Sequence, residues 1–431
     1  MRNEMDAPMT DQAVERTQGS SRMRIRALMG WGVSAQLIYV ACQFVTLIGL
    51  TRFATVTEVG MFGLASAIVI PVFFFFGLGM RVNVASSQQS DYAFNDFLFL
   101  LSVSLAVGLA LVSAIGLVSF TGSQLLILLI LAATKSAECL SELCYGVFQR
   151  YDRMNLVAGS VVLRSIAGTV LFVALLVSGL PATSAFLAQF LVWSAVALLL
   201  DLRFATVLSR KKQDDSPHRS DRVFRLARES IPLAANGLLS ALQGNMPRYV
   251  IAWLLGTTAL GHFTAVAYAM QAITTVTMAA VESLVARFRE YITASRNDAL
   301  LRTFIRLFAG LALAGVAGFG VSILIGDWLV QSVFGPDYAG LGTLLAICVL
   351  AGILRASTLV LQMSLMAGRA FAIVLQMRIV SLAVMLSACV LGGMLAGLSG
   401  VAIGMCAAFV VFLFMLVRAV KTHVFRPVSL Q

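Results

Sequence analysis

About twelve long apolar stretches, each near 20 residues and joined by short loops, dominate this 431-residue chain. They run at about 27–50, 61–80, 97–118, 123–147, 155–178, 183–204, 230–254, 262–287, 303–326, 341–367, 372–392 and 398–418. A segment of that length and polarity crosses a bilayer as a helix, because a helix satisfies its own backbone hydrogen bonds where no water can. Composition agrees. Hydrophobic residues make up 59% and charged residues 12%, against roughly 45–50% and 25% in soluble domains. Mean hydropathy is +0.92. An ordinary soluble enzyme and a disordered chain are excluded. A transmembrane β-barrel is excluded too, since its strands alternate polar and apolar residues over segments of about ten. The expected class is an all-α polytopic membrane protein.

The net charge is +11, from 31 Lys and Arg against 20 Asp and Glu. Its distribution reads as topology rather than nucleic-acid binding. The tail holds five of these cations, and the loops after the second, fourth, sixth, eighth and tenth spans hold one, two, eight, five and two, with Arg369 and Arg378 in the last. The C-terminal tail adds three, whereas the opposite loops hold only Arg52. Cytoplasmic loops carry such an excess, so both termini are expected in the cytoplasm. Residues Met1 to Ser21 read as a disordered tail rather than a signal peptide.

The longest loop, about 205–229, carries Arg210-Lys211-Lys212 and reads as a solvated linker. It divides the chain into a cytoplasmic tail at 1–26, a six-helix bundle at 27–204, the linker, a second six-helix bundle at 230–418, and a tail at 419–431. Val59-Gly60-Met61-Phe62 opens the second span and Leu260-Gly261-His262-Phe263 opens the eighth, 201 residues later. Six spans per half make the repeat parallel. Transporters built from parallel repeats place the substrate between the halves.

Neither a Walker motif, nor a Gly-rich phosphate loop, nor a Ser/His/Asp or paired-carboxylate constellation stands out, so neither an ATP-driven pump nor an enzyme is expected. The cysteines are scattered through apolar stretches and the three histidines lie far apart, so no metal site or cofactor is expected.

Ionisable residues within spans are costly and should face a wet cavity or a bundle interior. Lys135, Glu138 and Glu142 share one face of the fourth span, at spacings of three and four. Arg164 lies on the fifth span, Arg248 on the seventh, Glu282 on the eighth and Arg355 near the centre of the tenth. Two readings stay open. The carboxylates Glu138 and Glu142 neutralise Lys135 and Arg164 structurally and Glu282 pairs with Arg287 or Arg289, or the three couple transport to a proton or sodium gradient. Arg248 snorkels to the interface, or it joins Lys135, Arg164 and Arg355 in binding an anion. Four cations against three carboxylates favour an anionic substrate, and Arg forks suit phosphate. Asn245 and its neighbours either line a polar channel or bond between helices. Pro71, Pro232 and Pro247 interrupt the second and seventh spans, as candidate hinges or as ordinary kinks.

Leu50-Thr51-Arg52-Phe53, Glu58-Val59-Gly60-Met61-Phe62-Gly63, Tyr145-Gly146-Val147-Phe148-Gln149-Arg150, Arg248 with Leu255-Gly256 and Leu260-Gly261, and Phe334-Gly335-Pro336-Asp337-Tyr338 occur in order. The ordered set resembles polysaccharide-biosynthesis membrane proteins of the Wzx type, the O-antigen flippases. That resemblance implies about twelve transmembrane helices in two six-helix bundles, related to multidrug and toxin extrusion (MATE) transporters. It implies flipping of polyprenyl-diphosphate-linked oligosaccharide across the bacterial inner membrane, by alternating access. The implied partners are that glycan substrate, membrane lipids and other polysaccharide assembly proteins, with no nucleic acid. The rival readings are a MATE-type drug or cation antiporter, whose cavity should be acidic and aromatic, a lipid-linked peptidoglycan precursor flippase, and a membrane glycan polymerase or ligase, which would carry a long charged outer loop.

Overall fold

The computed structural model describes residues 34–87, 92–209, 219–282, 284–294, 296–368 and 370–425. The tail at 1–26 and the last residues of the chain lie outside them. Within them the chain is a bundle of long helices with no strand.

The first half runs α1 (Ser34–Phe53), α2 (Val56–Phe76), α3 (Met80–Ser86), α4 (Phe94–Ser119), α5 (Gly122–Arg150), α6 (Met154–Val177), α7 (Ala182–Ala195), a π-helical turn (Val196–Asp201) and α8 (Leu202–Ser209). The second half runs α9 (Arg219–Leu254), α10 (Gly256–Glu282), α11 (Val285–Thr293), α12 (Asn297–Phe334), α13 (Gly342–Ala367) and α14 (Phe371–His423). α3 extends α2, and α8 extends α7. α14 folds back at Ala396 and Gly397, whose φ of −141° and +57° leave the helical region, giving antiparallel arms at 371–395 and 398–423. Among the described residues this makes twelve crossings, six per half. An even number returns the chain to the end it started from, here the tail end; the opposite end is the far end.

Among the described residues, nine helices are long and apolar enough to cross a membrane by composition, counting both arms of α14 as one. α9 falls below that standard despite a length of 36 residues. Its polarity has a cause: together with α10 it lines the central cavity, and the two helices present Ser240, Asn245, Arg248, Tyr268 and Gln271 to it. Away from the cavity the surface is apolar, with Leu117, Val118, Leu313, Val316 and Leu324 exposed, as a lipid-facing surface requires.

Three expectations need correction. The 205–229 stretch is not all linker, because α8 runs to Ser209 and α9 begins at Arg219; only 210–218 lies outside the described residues. Arg378 is not a loop cation: it is 5% exposed on α14, and donates to the Asn236 carbonyl at 3.2 Å and to Gln362 Oε1. The prolines do not interrupt their spans. Pro71 lies inside α2, and Pro232 and Pro247 lie inside α9. The break in the second span falls at Leu78 and Gly79, which adopt φ of +54° and +56°. At Pro71 the missing N–H would leave the Ala67 carbonyl without its helical donor, and the Tyr249 hydroxyl of α9 donates to that oxygen instead.

The repeat appears as a physical seam. At the far end α2 and α10 cross so closely that a Cβ on Gly60 would sit 1.9 Å from the Thr257 carbonyl oxygen. Reciprocally, one on Gly261 would sit 2.1 Å from the Val56 oxygen. Thr57 and Thr258 face each other with hydroxyls 3.4 Å apart. Gly60 and Gly261, Val56 and Thr257, and Thr57 and Thr258 are each related by the 201-residue offset, so the two halves meet about a pseudo-two-fold axis along the bundle.

Candidate functional site

Between the halves lies a cavity of about 780 Å³. The first half contributes α1, α2, α5 and α7; the second contributes α9, α10, α12 and α13. Several groups close its far end. Besides the glycine seam, Arg52 donates to the Val333 carbonyl at 2.9 Å and to that of Ser332, and the His262 ring nitrogen meets the Asp337 carbonyl at 3.2 Å. Ser332 and Val333 sit in the last turn of α12, where carbonyls lack helical partners and a cation is favoured. Arg52, the isolated cation of the far-end loops, therefore ties the first half to a helix end of the second.

Among the described residues four charged side chains reach the cavity: Lys135, Glu138, Arg248 and Arg355. Lys135 stands thirteen residues into α5 and Arg355 thirteen into α13. At 1.5 Å per residue each lies roughly 20 Å from the far end of its helix. α5 and α13 are the fourth crossings of their halves, so the two cations occupy equivalent depths on equivalent spans.

Their surroundings differ. Lys135 Nζ contacts Glu138 Oε2 at 2.6 Å, one turn away on the same helix, with the side chains 31% and 17% exposed. Arg355 has no carboxylate within ion-pair distance among the described residues. Its guanidinium lies against α9, where Gly244 leaves room: a Cβ there would meet Nη2 at 2.9 Å. Arg248 points into the cavity and donates to Asn245 Oδ1 at 2.8 Å. Asn245 in turn donates to the Ala241 carbonyl, so its side-chain oxygen is free to orient the arginine. Three cations thus face one carboxylate, and the unmatched charge sits on the second half. The opposite wall carries Tyr39, Gln43, Gln189 and Trp193, with the Gln43 amide donating to the Tyr39 hydroxyl at 3.1 Å. One wall is cationic; the other offers amides and aromatic edges.

The remaining sequence candidates lie elsewhere. Arg164 does not line the cavity. It is 3% exposed, packed between the rings of Trp193 and Tyr145 at 4.7 and 5.5 Å, one side chain behind the wall. Its Nε and Nη1 have no hydrogen-bond partner among the described residues. Glu142 also leaves the cavity and pairs with Arg81 at 3.2 Å, both about one-third exposed. Of the two pairings open in the sequence, Glu138 with Lys135 is made, and Glu142 takes Arg81 rather than Arg164. The side chain of Glu282 lies outside the described residues.

Two features escaped the sequence reading. Arg378 mirrors Arg164: both are buried arginines on the fifth crossing of their half, both lack a carboxylate within ion-pair distance among the described residues, and both keep an Nε without a partner. Asp201, 1% exposed at the end of the π-helical turn, accepts from Ser160 Oγ at 2.9 Å, and Ser160 in turn lies 2.7 Å from the Tyr145 hydroxyl. The sequence signal was slight: Asp201 sits where a span meets its loop and looks solvated.

A family model described as "Polysaccharide biosynthesis protein" matches residues 27–291. The capsular polysaccharide biosynthesis protein CapF of Staphylococcus aureus is 23% identical over 339 residues, covering 76% of this chain and 83% of that protein. Among solved structures, the lipid II flippase MurJ in an inward closed conformation superposes with a TM-score of 0.67 at 10% identity, covering 92% of this chain and 87% of that one. An inward-facing multidrug resistance MATE family transporter gives a TM-score of 0.59 at 15% identity, covering 94% and 96%. At such identities these structures establish a shared fold, a two-bundle multi-pass membrane protein.

Proposed function

Because the chain belongs to the polysaccharide biosynthesis protein family, we propose that it flips a polyprenyl-diphosphate-linked oligosaccharide across the bacterial inner membrane. The observation that carries the proposal is the pair of uncompensated arginines, Arg248 and Arg355, in a cavity between the two halves. A cation without a carboxylate partner at membrane depth is costly, and an anionic cargo offsets that cost. Arginine forks take phosphate oxygens bidentately; Gly244 makes room for the Arg355 guanidinium and Asn245 holds that of Arg248. The amides and rings of the facing wall suit a glycan, while a polyprenyl tail stays in lipid. Lys135 adds a third cation at the depth of Arg355. Arg164 supports the wall from behind and does not touch the cargo.

The far-end seam gives alternating access a structural basis. With that end held shut, cargo loads from the tail end, which the charge bias assigns to the cytoplasm. Parting of α2 from α10 then exposes the cavity on the other side. A proton or sodium gradient supplies the driving force in this reading.

The test is a deletion strain, from which lipids are extracted and diphosphate-linked oligosaccharide is measured alongside surface polysaccharide. Accumulated lipid-linked glycan with lost surface polysaccharide, restored by the wild-type gene and not by Arg355→Ala at equal expression, is the expected result. Unchanged glycans with raised sensitivity to cationic drugs would overturn the proposal and favour an antiporter.

A further inference from the structure

The two halves hold their cations in the same arrangement with one difference. Each has a cavity-facing cation on its fourth crossing, Lys135 and Arg355, and a buried arginine on its fifth, Arg164 and Arg378. In the second half the buried Arg378 is held by a glutamine, Gln362, and by the Asn236 carbonyl. Among the described residues no carboxylate lies within ion-pair distance of Arg355. In the first half a carboxylate, Glu138, interacts with both cations. It contacts Lys135 at 2.6 Å and lies within electrostatic range of Arg164. Arg164 is 3% exposed and keeps two guanidinium nitrogens without any partner. A buried donor left unpaired is costly, and an arginine so placed offers vacant N–H donors to a carboxylate.

From this geometry we infer that Glu138 is an exchangeable counterion: it masks Lys135 in the empty cavity and transfers to Arg164 when a diphosphate arrives, unmasking Lys135 as an anion ligand. The inference rests on the reading of the cavity as a diphosphate site and adds the residue that controls it. No proton need move, because one carboxylate exchanges one cation for another. The acid–base groups facing Glu138 are Lys135 on its own helix, Tyr39 on α1 and Arg164 on α6. The stacking of Arg164 between Trp193 and Tyr145 keeps its guanidinium in place to receive the carboxylate, since cation–π contacts fix position without consuming N–H donors. The empty cavity then exposes two free cations instead of three, which limits capture of unrelated anions. The cargo must supply enough negative charge to draw Lys135 away, and two linked phosphates do so better than one.

The experiment titrates inorganic pyrophosphate into the purified full-length protein in lipid nanodiscs, by calorimetry. Glu138→Gln keeps the shape but cannot mask Lys135, so pyrophosphate should bind about tenfold more tightly, the scale of one charge-assisted hydrogen bond. Arg164→Gln removes the alternative partner, so affinity should fall by a similar factor. In the Glu138→Gln background, Arg164→Gln should have no effect, because nothing remains to be transferred. An equal loss from Arg164→Gln in both backgrounds would overturn the inference, as would unchanged affinity in Glu138→Gln. If Arg164→Gln does not fold, Lys135→Met decides: the gain from Glu138→Gln must disappear in its presence, and survival of that gain refutes the masking. Arg355→Ala separates the two levels. If it leaves pyrophosphate affinity intact, the diphosphate reading fails whatever the Glu138 cycle gives. If it abolishes binding while the cycle is additive, only the exchange fails. Absence of pyrophosphate binding in every variant overturns both.

Discussion

The glycine seam yields the sharpest prediction. Gly60→Ala places a methyl 1.9 Å from the Thr257 carbonyl oxygen. Real Cβ contacts essentially never fall below 3.0 Å, so α2 and α10 must part by at least about 1 Å. Both obstacles are helix backbone and cannot rotate away. Overpacking of this kind costs about 1–3 kcal/mol. The cost falls on the state with the far end closed and vanishes once the helices separate. The equilibrium should therefore move toward an open far end by roughly 5- to 150-fold. The assay is disulfide formation between Thr57→Cys and Thr258→Cys, whose hydroxyls now lie 3.4 Å apart, in a background without native cysteines. The rate follows the closed population, so it should fall in Gly60→Ala and in Gly261→Ala, at most by that factor. Gly159→Ala, where an added Cβ meets nothing within 4 Å, is the control and should leave the rate unchanged. A cross-linking rate that Gly60→Ala does not change, in protein that melts normally, would refute the idea that this contact holds the cavity shut.

Other consequences are smaller and independent. Gly244→Ala pushes a methyl against the Arg355 guanidinium, 2.9 Å from Nη2; it should weaken pyrophosphate binding about tenfold without altering any charge, a loss of ~1.4 kcal/mol read by calorimetry. Tyr249→Phe removes the donor to the Ala67 carbonyl, at a cost of about 1–3 kcal/mol seen as a lower melting temperature, and the cost should largely disappear alongside Pro71→Ala, which restores the helical N–H. Ser160→Ala strips the hydroxyl that donates to Asp201 and should destabilise the first half by about 1–3 kcal/mol, whereas Ser220→Ala, on an exposed residue, should leave melting unchanged. Glu142→Gln breaks a half-exposed pair with Arg81; such pairs contribute about 0–1 kcal/mol, so glycan export in the complemented strain should persist, and its loss would restore Glu142 to the transport machinery.

Much of this protein is legible without coordinates because the bilayer imposes a one-dimensional rule. A span must be long, apolar and helical, so the number of crossings, their approximate limits and the division into two sixes follow from hydropathy. The 201-residue repeat is also written in the chain, since short loops keep equivalent residues at a constant offset. Cost identifies the charged candidates: a lysine or arginine in the middle of a span requires a reason, and three of the four cations named on that ground do line the cavity.

What the sequence could not determine is direction. A helix carries a residue on one of several faces, and rotation of less than one turn separates the cavity from the wall behind it. Arg164 and Arg355 look alike along the chain, yet one is sealed between two rings and the other is open. Glu138 and Glu142 sit one turn apart, yet tertiary packing gives the first to Lys135 and the second to Arg81. The prolines looked like breaks because local rules remove a hydrogen bond there; the fold supplied Tyr249 from another helix and kept α2 intact to Phe76. Length, polarity and repeat are properties of the chain alone. Which charges meet, and which remain unpaired to receive a ligand, depends on how the helices are turned against one another, and only the packed bundle decides that.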